Sequence, residues 1–357
     1  MAGKIMKEET MRFKVVVTMI DPQHHFDTPY EEEVLGKLGA EVIKYKRCAT
    51  EEEVIAACHD ADAIINVFEP FSRRVIENLS KCKIISKVGT GLDGTDINAA
   101  TEYGIVLTNL PEWCNEEVSD HAMTLLLACS RKIFKMNKVV VKVGLNWWSR
   151  EARKPLEPMF ALRTQTLGLV GFGRIARTLV PKARGFGLRL IAYDPYVLRS
   201  KIERSRVELV DFDRLLQESD FVSFHVPLTE ETYHMVGLEQ FKKMKPTAYL
   251  INTARGAIVD EKALYTAVSQ GWIAGAGLDV LEKEQPPDPD NPLLELDNVI
   301  ITPHNASYSE TSFWEIRRCP VDEVARVLQG KWPVYFVNPE VKEKFIQRWG
   351  LEMTPSR

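Results

Sequence analysis

The sequence predicts an α/β protein made of two doubly wound parallel-sheet domains. Three observations carry that prediction. Short apolar runs alternate with helical stretches in two successive series, a pattern that winds into parallel sheets with helices on both faces. The second series opens on an apolar strand that runs straight into a glycine-rich turn. The length of 357 residues corresponds to about two domains at roughly 150 residues each.

In order along the chain, the first series places strands at 13–19, 41–45, 62–67, 83–88 and 105–108, with helices at 30–38, 51–59, 71–79 and 95–102 between them. A long helix is predicted over 115–143, with Asn115 as its cap and Glu116 and Glu117 at the positive end of its dipole. A polar, tryptophan-bearing segment, 144–164, follows. The second series then runs strand 166–171, helix 174–186, strand 189–193, helix 211–217, strands 220–224 and 248–251, helix 260–270, and strands 273–278 and 298–301. A final helix, 308–329, precedes a tail containing Pro333 and Pro339.

Composition narrows the function. Hydrophobic residues make up 45% and charged residues 27%, which excludes global disorder, collagen and coiled coil. The balance of 46 basic and 50 acidic residues, 46 − 50 = −4, gives no net basic field, so nucleic acid is not expected as the main partner. With no run of eighteen apolar residues, no membrane-spanning helix is expected, and no membrane partner. Six scattered cysteines without C-x-x-C spacing, and an opening stretch unlike a secretory signal, point to a cytoplasmic protein with reduced thiols. No cluster has metal-ligand spacing, so no metal is expected.

The glycine turn reads LGLVGFGRIAR over 167–177. Gly171 permits the tight turn, Gly173 lets the backbone approach a pyrophosphate, and the small Ala176 lets the helix pack on the strand. The anion would rest on free N–H groups at the helix N-terminus. Eighteen residues after Ala176, Asp194 ends the run LRLIAY, where a carboxylate accepts from ribose hydroxyls and repels a 2′-phosphate. The pattern therefore favours NAD(H) over NADP(H). Arg174 either contacts the pyrophosphate or faces solvent.

Three later segments carry the chemistry: INTARGAIVD (251–260), GLDVLEKEQPP (277–287) and TPHNA (302–306). With the glycine turn, they resemble the D-isomer-specific 2-hydroxyacid dehydrogenase family from about residue 60 to 335, four motifs in register. The segments YDPY (193–196), NTARG followed by VDEKAL, and YSE (308–310) look closest to the C-terminal-binding-protein-like branch, which includes NAD-binding corepressors. That branch usually carries Trp where this chain has Ser307, and His121 resembles the family's ordinary dehydrogenases more.

The resemblance implies a flavodoxin-like substrate domain and a Rossmann dinucleotide-binding domain inserted into it. The expected division is 12–114 for the first part of the substrate domain, 115–306 for the NAD-binding domain and 307–340 for the return, with 1–11 and 341–357 as peripheral tails. It places Arg255, Glu284 and His304 in the active site, and Gly171, Gly173, Arg174, Ile175, Asp194, Val226, Pro227, Thr232, Thr253, Ala254, Asp279 and Thr90 at the cofactor. Asp279 would lie by the nicotinamide or cap a loop. Backbone N–H groups of the loop Lys87, Val88, Gly89 and Thr90 would hold the substrate carboxylate. Lys87 adds a charge there or is an ordinary solvated lysine. Phe68, Glu69 and Phe71 line the pocket or pack as a turn over the core, and Trp147 and Trp148 pack at a domain or subunit boundary or act as a substrate lid. The implied partner is a second copy of the chain.

These residue types suit reduction of a 2-keto acid. Arg255 offers a planar fork that pairs with a carboxylate and polarises a keto oxygen. His304 is the group most easily poised to exchange a proton near neutral pH. Glu284 can accept from the other ring nitrogen and orient the ring; Glu282 is a rival that the family register sets aside. The expected activity is interconversion of a 2-keto acid and a D-2-hydroxy acid with NAD(H), the alternative being an NAD-binding corepressor or scaffold with incidental turnover.

Overall fold

The computed structural model describes residues 12–18, 29–46, 48, 50–92, 94–144, 149–284 and 288–355. The leader 1–11 and Trp147 and Trp148 lie outside the described residues. The chain forms two compact units, one from Met1–Trp113 with Glu310–Arg357 and the other from Cys114–Ser309.

The first unit begins with strands β1 (Phe13–Val17), β2 (Ala40–Lys44), β3 (Ala63–Asn66), β4 (Ile84–Lys87) and β5 (Val106–Thr108). Helices α1 (Tyr30–Gly36), α2 (Glu51–Cys58), α3 (Arg73–Glu77) and α4 (Ile97–Glu102) connect them. All pairings are parallel, in the order β2-β1-β3-β4-β5. Connections that cross over one face and then the other reverse the winding beside β1, which is the flavodoxin-like arrangement. Caps mark the helix starts: Thr50, Ser72 and Asp96 each accept from a first-turn N–H.

In the second unit, the predicted 115–143 helix is two helices, α5 (Asn115–Ser130) and α6 (Ile133–Val143). The chain turns at Lys132, which is left-handed at φ 50°. The Arg131 N–H bonds back to the Leu127 carbonyl and the Lys132 N–H to that of Cys129, ending α5. Asn115 is the first helical residue, not the cap; Cys114 holds that position without a side-chain bond. A short helix α7 (Arg150–Arg153) leads to β6 (Thr166–Val170), α8 (Arg174–Gly185), β7 (Arg189–Tyr193), α9 (Arg199–Ser205) and β8 (Glu208–Leu209). Then come α10 (Phe212–Glu218), β9 (Phe221–Phe224), α11 (Leu238–Lys243), β10 (Tyr249–Asn252), α12 (Glu261–Ser269), β11 (Gly275–Leu278) and β12 (Val299–Ile301).

These seven strands order as β12-β11-β10-β9-β6-β7-β8, all parallel. The winding reverses between β6 and β9, the switch point where such sheets bind nucleotides. One face buries Leu167, Leu169 and Phe221 with α5 and α8; the other buries Val222, Phe224 and Leu250 with α10 to α12.

The chain returns to the first unit through α13 (Glu310–Leu328) and α14 (Lys342–Trp349). The expectation that 341–357 is a peripheral tail is corrected. Val341 and Phe345 are fully buried, and they join Ile316, Val321 and Val324 of α13 against Val15, Ile84 and Val106 of the sheet. The prolines read as tail signals stand before a further amphipathic helix. Among the described residues, no helix is long and apolar enough to cross a membrane.

Candidate active site

The switch point explains the glycine turn residue by residue. Gly171 follows β6 at φ 86°, and a Cβ there would lie 2.7 Å from Val226 Cγ1 and 2.8 Å from the His225 carbonyl oxygen. Only glycine fits between the ends of β6 and β9. Gly173 is different: a Cβ there would meet nothing within 4 Å, so no protein packing demands a glycine. It caps α8 without a side chain, leaving the first-turn N–H groups with no side-chain acceptor from the cap. That cradle fits a pyrophosphate.

Asp194 holds two ends of the same turn. One oxygen accepts from the Phe172 N–H at 2.8 Å and the other from the Tyr196 N–H at 2.9 Å. A carboxylate has lone pairs left for ribose hydroxyls after these two bonds. Thr232 folds the loop after β9 by donating to the Pro227 carbonyl at 2.6 Å. At the end of β10, the Thr253 hydroxyl oxygen is buried without a protein partner. An orphaned buried hydroxyl beside the switch point suits a bound polar group. Arg174 is exposed and Ile175 half-buried at the start of α8.

The reactive side chains come from three strand ends of this unit. Arg255 follows β10; its Nη1 donates to the Ala254 carbonyl at 2.7 Å, and Asn252 braces the turn by accepting from the Ala254 N–H and donating to the Arg255 carbonyl. Glu284 follows β11, and His304 follows β12. His304 Nδ1 lies 2.7 Å from Glu284 Oε2. Burial pushes the Glu284 carboxyl up, but the His304 bond and charge, the Leu281 N–H and the Arg255 charge hold it below its ordinary 4.5. With Nδ1 engaged, Nε2 is the nitrogen left to exchange a proton. Glu282 is occupied elsewhere, 2.9 Å from His234 and accepting from the Glu261 N–H.

His304 itself is left-handed at φ 53°. Asp279, 1% exposed, holds this turn: one oxygen accepts from the Thr302 hydroxyl at 2.5 Å and the Asn305 N–H at 3.1 Å, the other from the Ala306 N–H at 2.8 Å. Of the two roles weighed for Asp279, loop capping is the one these bonds perform.

The family profile described as "D-isomer specific 2-hydroxyacid dehydrogenase, NAD binding domain" matches residues 123–306. The chain belongs to the D-isomer-specific 2-hydroxyacid dehydrogenase family. It is 42% identical over 291 residues to a glyoxylate reductase of Korarchaeum cryptofilum, covering 81% of this chain and 86% of that one. A D-3-phosphoglycerate dehydrogenase of Methanocaldococcus jannaschii is 38% identical over 327 residues; these make up 91% of this chain but 59% of that protein. The crystal structure of D-lactate dehydrogenase from Aquifex aeolicus, complexed with NAD and lactic acid, matches with a TM-score of 0.75 at 28% identity, covering 94% of this chain and 97% of that one. These relatives lend no support to the corepressor alternative. In this D-2-hydroxyacid dehydrogenase, the second unit carries the NAD-binding domain.

The first unit of the dehydrogenase changes several expectations. The Val88 N–H is engaged, donating to the Asn66 carbonyl at 2.8 Å, so it is no substrate donor. Among the described residues, the N–H groups of Gly89 and Thr90 have no acceptor, and a Cβ at Gly89, φ 106°, would meet nothing within 4 Å. The Thr90 side chain is already engaged, donating to the Leu110 carbonyl at 2.7 Å and accepting from Trp113. Lys87 is not solvated; at 9% exposure its ammonium donates to the Val67 carbonyl and lies over the Phe68 ring. Phe71 is fully buried core rather than pocket lining, because the α2–α4 face of the sheet encloses it. Glu69 is buried and accepts from the Cys48 N–H, while Phe68 is exposed.

Two groups have no role assigned from the sequence. His121 and Thr302 stand next to Asp279; the signals for His121 are its match to the family's ordinary dehydrogenases and its i, i+4 alignment with Leu125 and Cys129 on the sheet-facing side of α5. Gly256 was the other: a Cβ there would meet the Leu281 carbonyl carbon at 2.0 Å, so the Arg255 turn and the Glu284 loop touch through backbone alone. Among the described residues, no group of three or more His, Cys, Asp or Glu is placed to hold a metal ion.

Proposed function

We propose that this chain reduces small 2-keto acids to D-2-hydroxy acids with NADH, and runs the reverse with NAD. The observation that carries the reading is the His304–Glu284 pair, 2.7 Å long and next to the charge of Arg255. When bound, NADH supplies the hydride that adds to C2 of the keto acid. Gly171, Gly173, the open first turn of α8, Asp194 and Thr253 hold the dinucleotide. Arg255 pairs with the substrate carboxylate and polarises the keto oxygen. His304 gives its Nε2 proton to that oxygen as C2 is reduced, while Glu284 keeps the ring oriented through Nδ1. In oxidation, His304 takes the hydroxyl proton back. The N–H groups of Gly89 and Thr90 are further carboxylate donors in this reading.

A panel of glyoxylate, pyruvate, hydroxypyruvate and larger 2-keto acids, followed by NADH absorbance, tests the proposal. Turnover of at least one acid is expected, with His304→Ala slower by about a hundredfold or more and NADH binding preserved. Absence of turnover across the panel, or an unchanged rate in the variant, sinks it. We also assign a homodimer, supported by exposed Ile133, Phe134, Val140 and Val141 along α6. Sedimentation at twice the chain mass is the expected result. The six free thiols favour the cytoplasm.

A further inference from the structure

The geometry points to His121 as a positioning residue for proton transfer, acting through Thr302 and Asp279 on the turn that presents His304. The inference rests on the reading of His304 as the acid–base group.

The chain of contacts is continuous. His121 Nε2 lies 2.9 Å from Thr302 Oγ1, and Thr302 Oγ1 lies 2.5 Å from Asp279 Oδ1. A hydroxyl has one proton, and the shorter bond to the carboxylate takes it. His121 Nε2 must then be the donor to Thr302, which assigns the Nε2–H form of the ring by hydrogen-bond logic. Asp279 passes the constraint on, since its two oxygens also hold the N–H groups of Asn305 and Ala306. His304 lies between these residues and Thr302, and its own N–H bonds to the Thr302 carbonyl at 3.0 Å.

A second observation, independent of these bonds, shows that the approach of α5 is built in. Gly277 lies on β11 where α5 presses on the sheet; a Cβ there would sit 3.0 Å from Leu125 Cβ and 3.4 Å from Cys129 Sγ. Leu125 is one helical turn beyond His121 on the same face. The missing side chain at 277 lets the helix come close enough for His121 to reach the strand ends. A left-handed histidine with an exposed ring is held by its hydrogen bonds, to Glu284 at the ring and through the Asp279 network at the turn, rather than by burial.

Two removals and two conservative replacements test this. His121→Leu and Thr302→Val should each lower kcat by about tenfold or more, as a small misplacement of a reacting group does. KM for the keto acid and the NADH dissociation constant should stay within about twofold. His121→Gln, which keeps an N–H near the Nε2 position, and Thr302→Ser should retain most of kcat. In a His304→Ala background neither removal should lower the residual rate further. Unchanged kcat in both removals overturns the proposal. So does a loss of kcat that the conservative variants share, or that persists in the His304→Ala background. If the wild type turns over no keto acid, the functional reading fails separately, and the ring nitrogen NMR shifts of His304 decide the positioning. A shift change in the two removals, restored in His121→Gln and Thr302→Ser, supports it, and unchanged shifts refute it.

Discussion

Glu284 and His225 show how single groups tie this chain to pH. The Glu284 carboxyl is held below its ordinary 4.5 in the folded protein. Its pairing therefore contributes stability above that value, and the contribution is lost as pH falls through the lower, folded value. His225, at the end of β9, is pushed down by burial from 6.5 to about 4. Between those values the unfolded chain binds the proton and the folded chain does not, so stability rises with pH there and falls on acidification. The thermal midpoint should drop between pH 6.5 and 4, and His225→Asn should flatten that slope. An equal slope in the variant would count against the assignment. At Asp194, removal of the carboxylate should weaken NADH binding by about tenfold or more and NADPH binding by less, since the same change removes a 2′-phosphate repulsion. Titration of both cofactors into Asp194→Ala checks this.

The elements explain what the sequence made legible. Strand and helix existence followed from apolar alternation, because buried parallel strands and amphipathic helices leave strong periodic signals. The glycine turn and Asp194 were readable because each residue type there answers a local backbone need. The break between α5 and α6 was not, since a left-handed lysine carries none of the usual glycine signal. Nor was β8, whose two residues are both exposed at the sheet edge. Of the site, Arg255, Glu284 and His304 came from motif register, whereas the use of the Val88 N–H by Asn66 depends on a strand pairing that no local pattern reveals. Gly256 belongs to the same hidden class. Gly256→Ala should displace the 281–284 loop and reduce kcat far more than NADH affinity, measured by steady-state kinetics and cofactor titration.

At the scale of the whole molecule, the return of the chain to its first unit matters most. Asn338 accepts from the Leu107 N–H and donates to the Ile105 carbonyl, and Arg348 reaches the Leu79 and Tyr103 carbonyls. Such contacts span over 200 residues of sequence, which is why the proline-bearing end read as a tail. Truncation after residue 340 removes fully buried Val341 and Phe345, and a buried Phe alone is worth about 3–5 kcal/mol. Denaturant unfolding of the truncated chain should show the first unit melting well before the second.

That return also sets a schedule for biosynthesis. The β1–β5 sheet is finished by residue 108, but α13, which covers one of its apolar faces, begins at 310. At roughly 5–20 residues per second, that face waits on the order of ten to forty seconds on the ribosome before its cover emerges. The nucleotide-binding unit is contiguous in sequence and can fold during the wait. Until α13 emerges, the nascent first unit keeps that apolar face uncovered, the kind of exposure that invites aggregation.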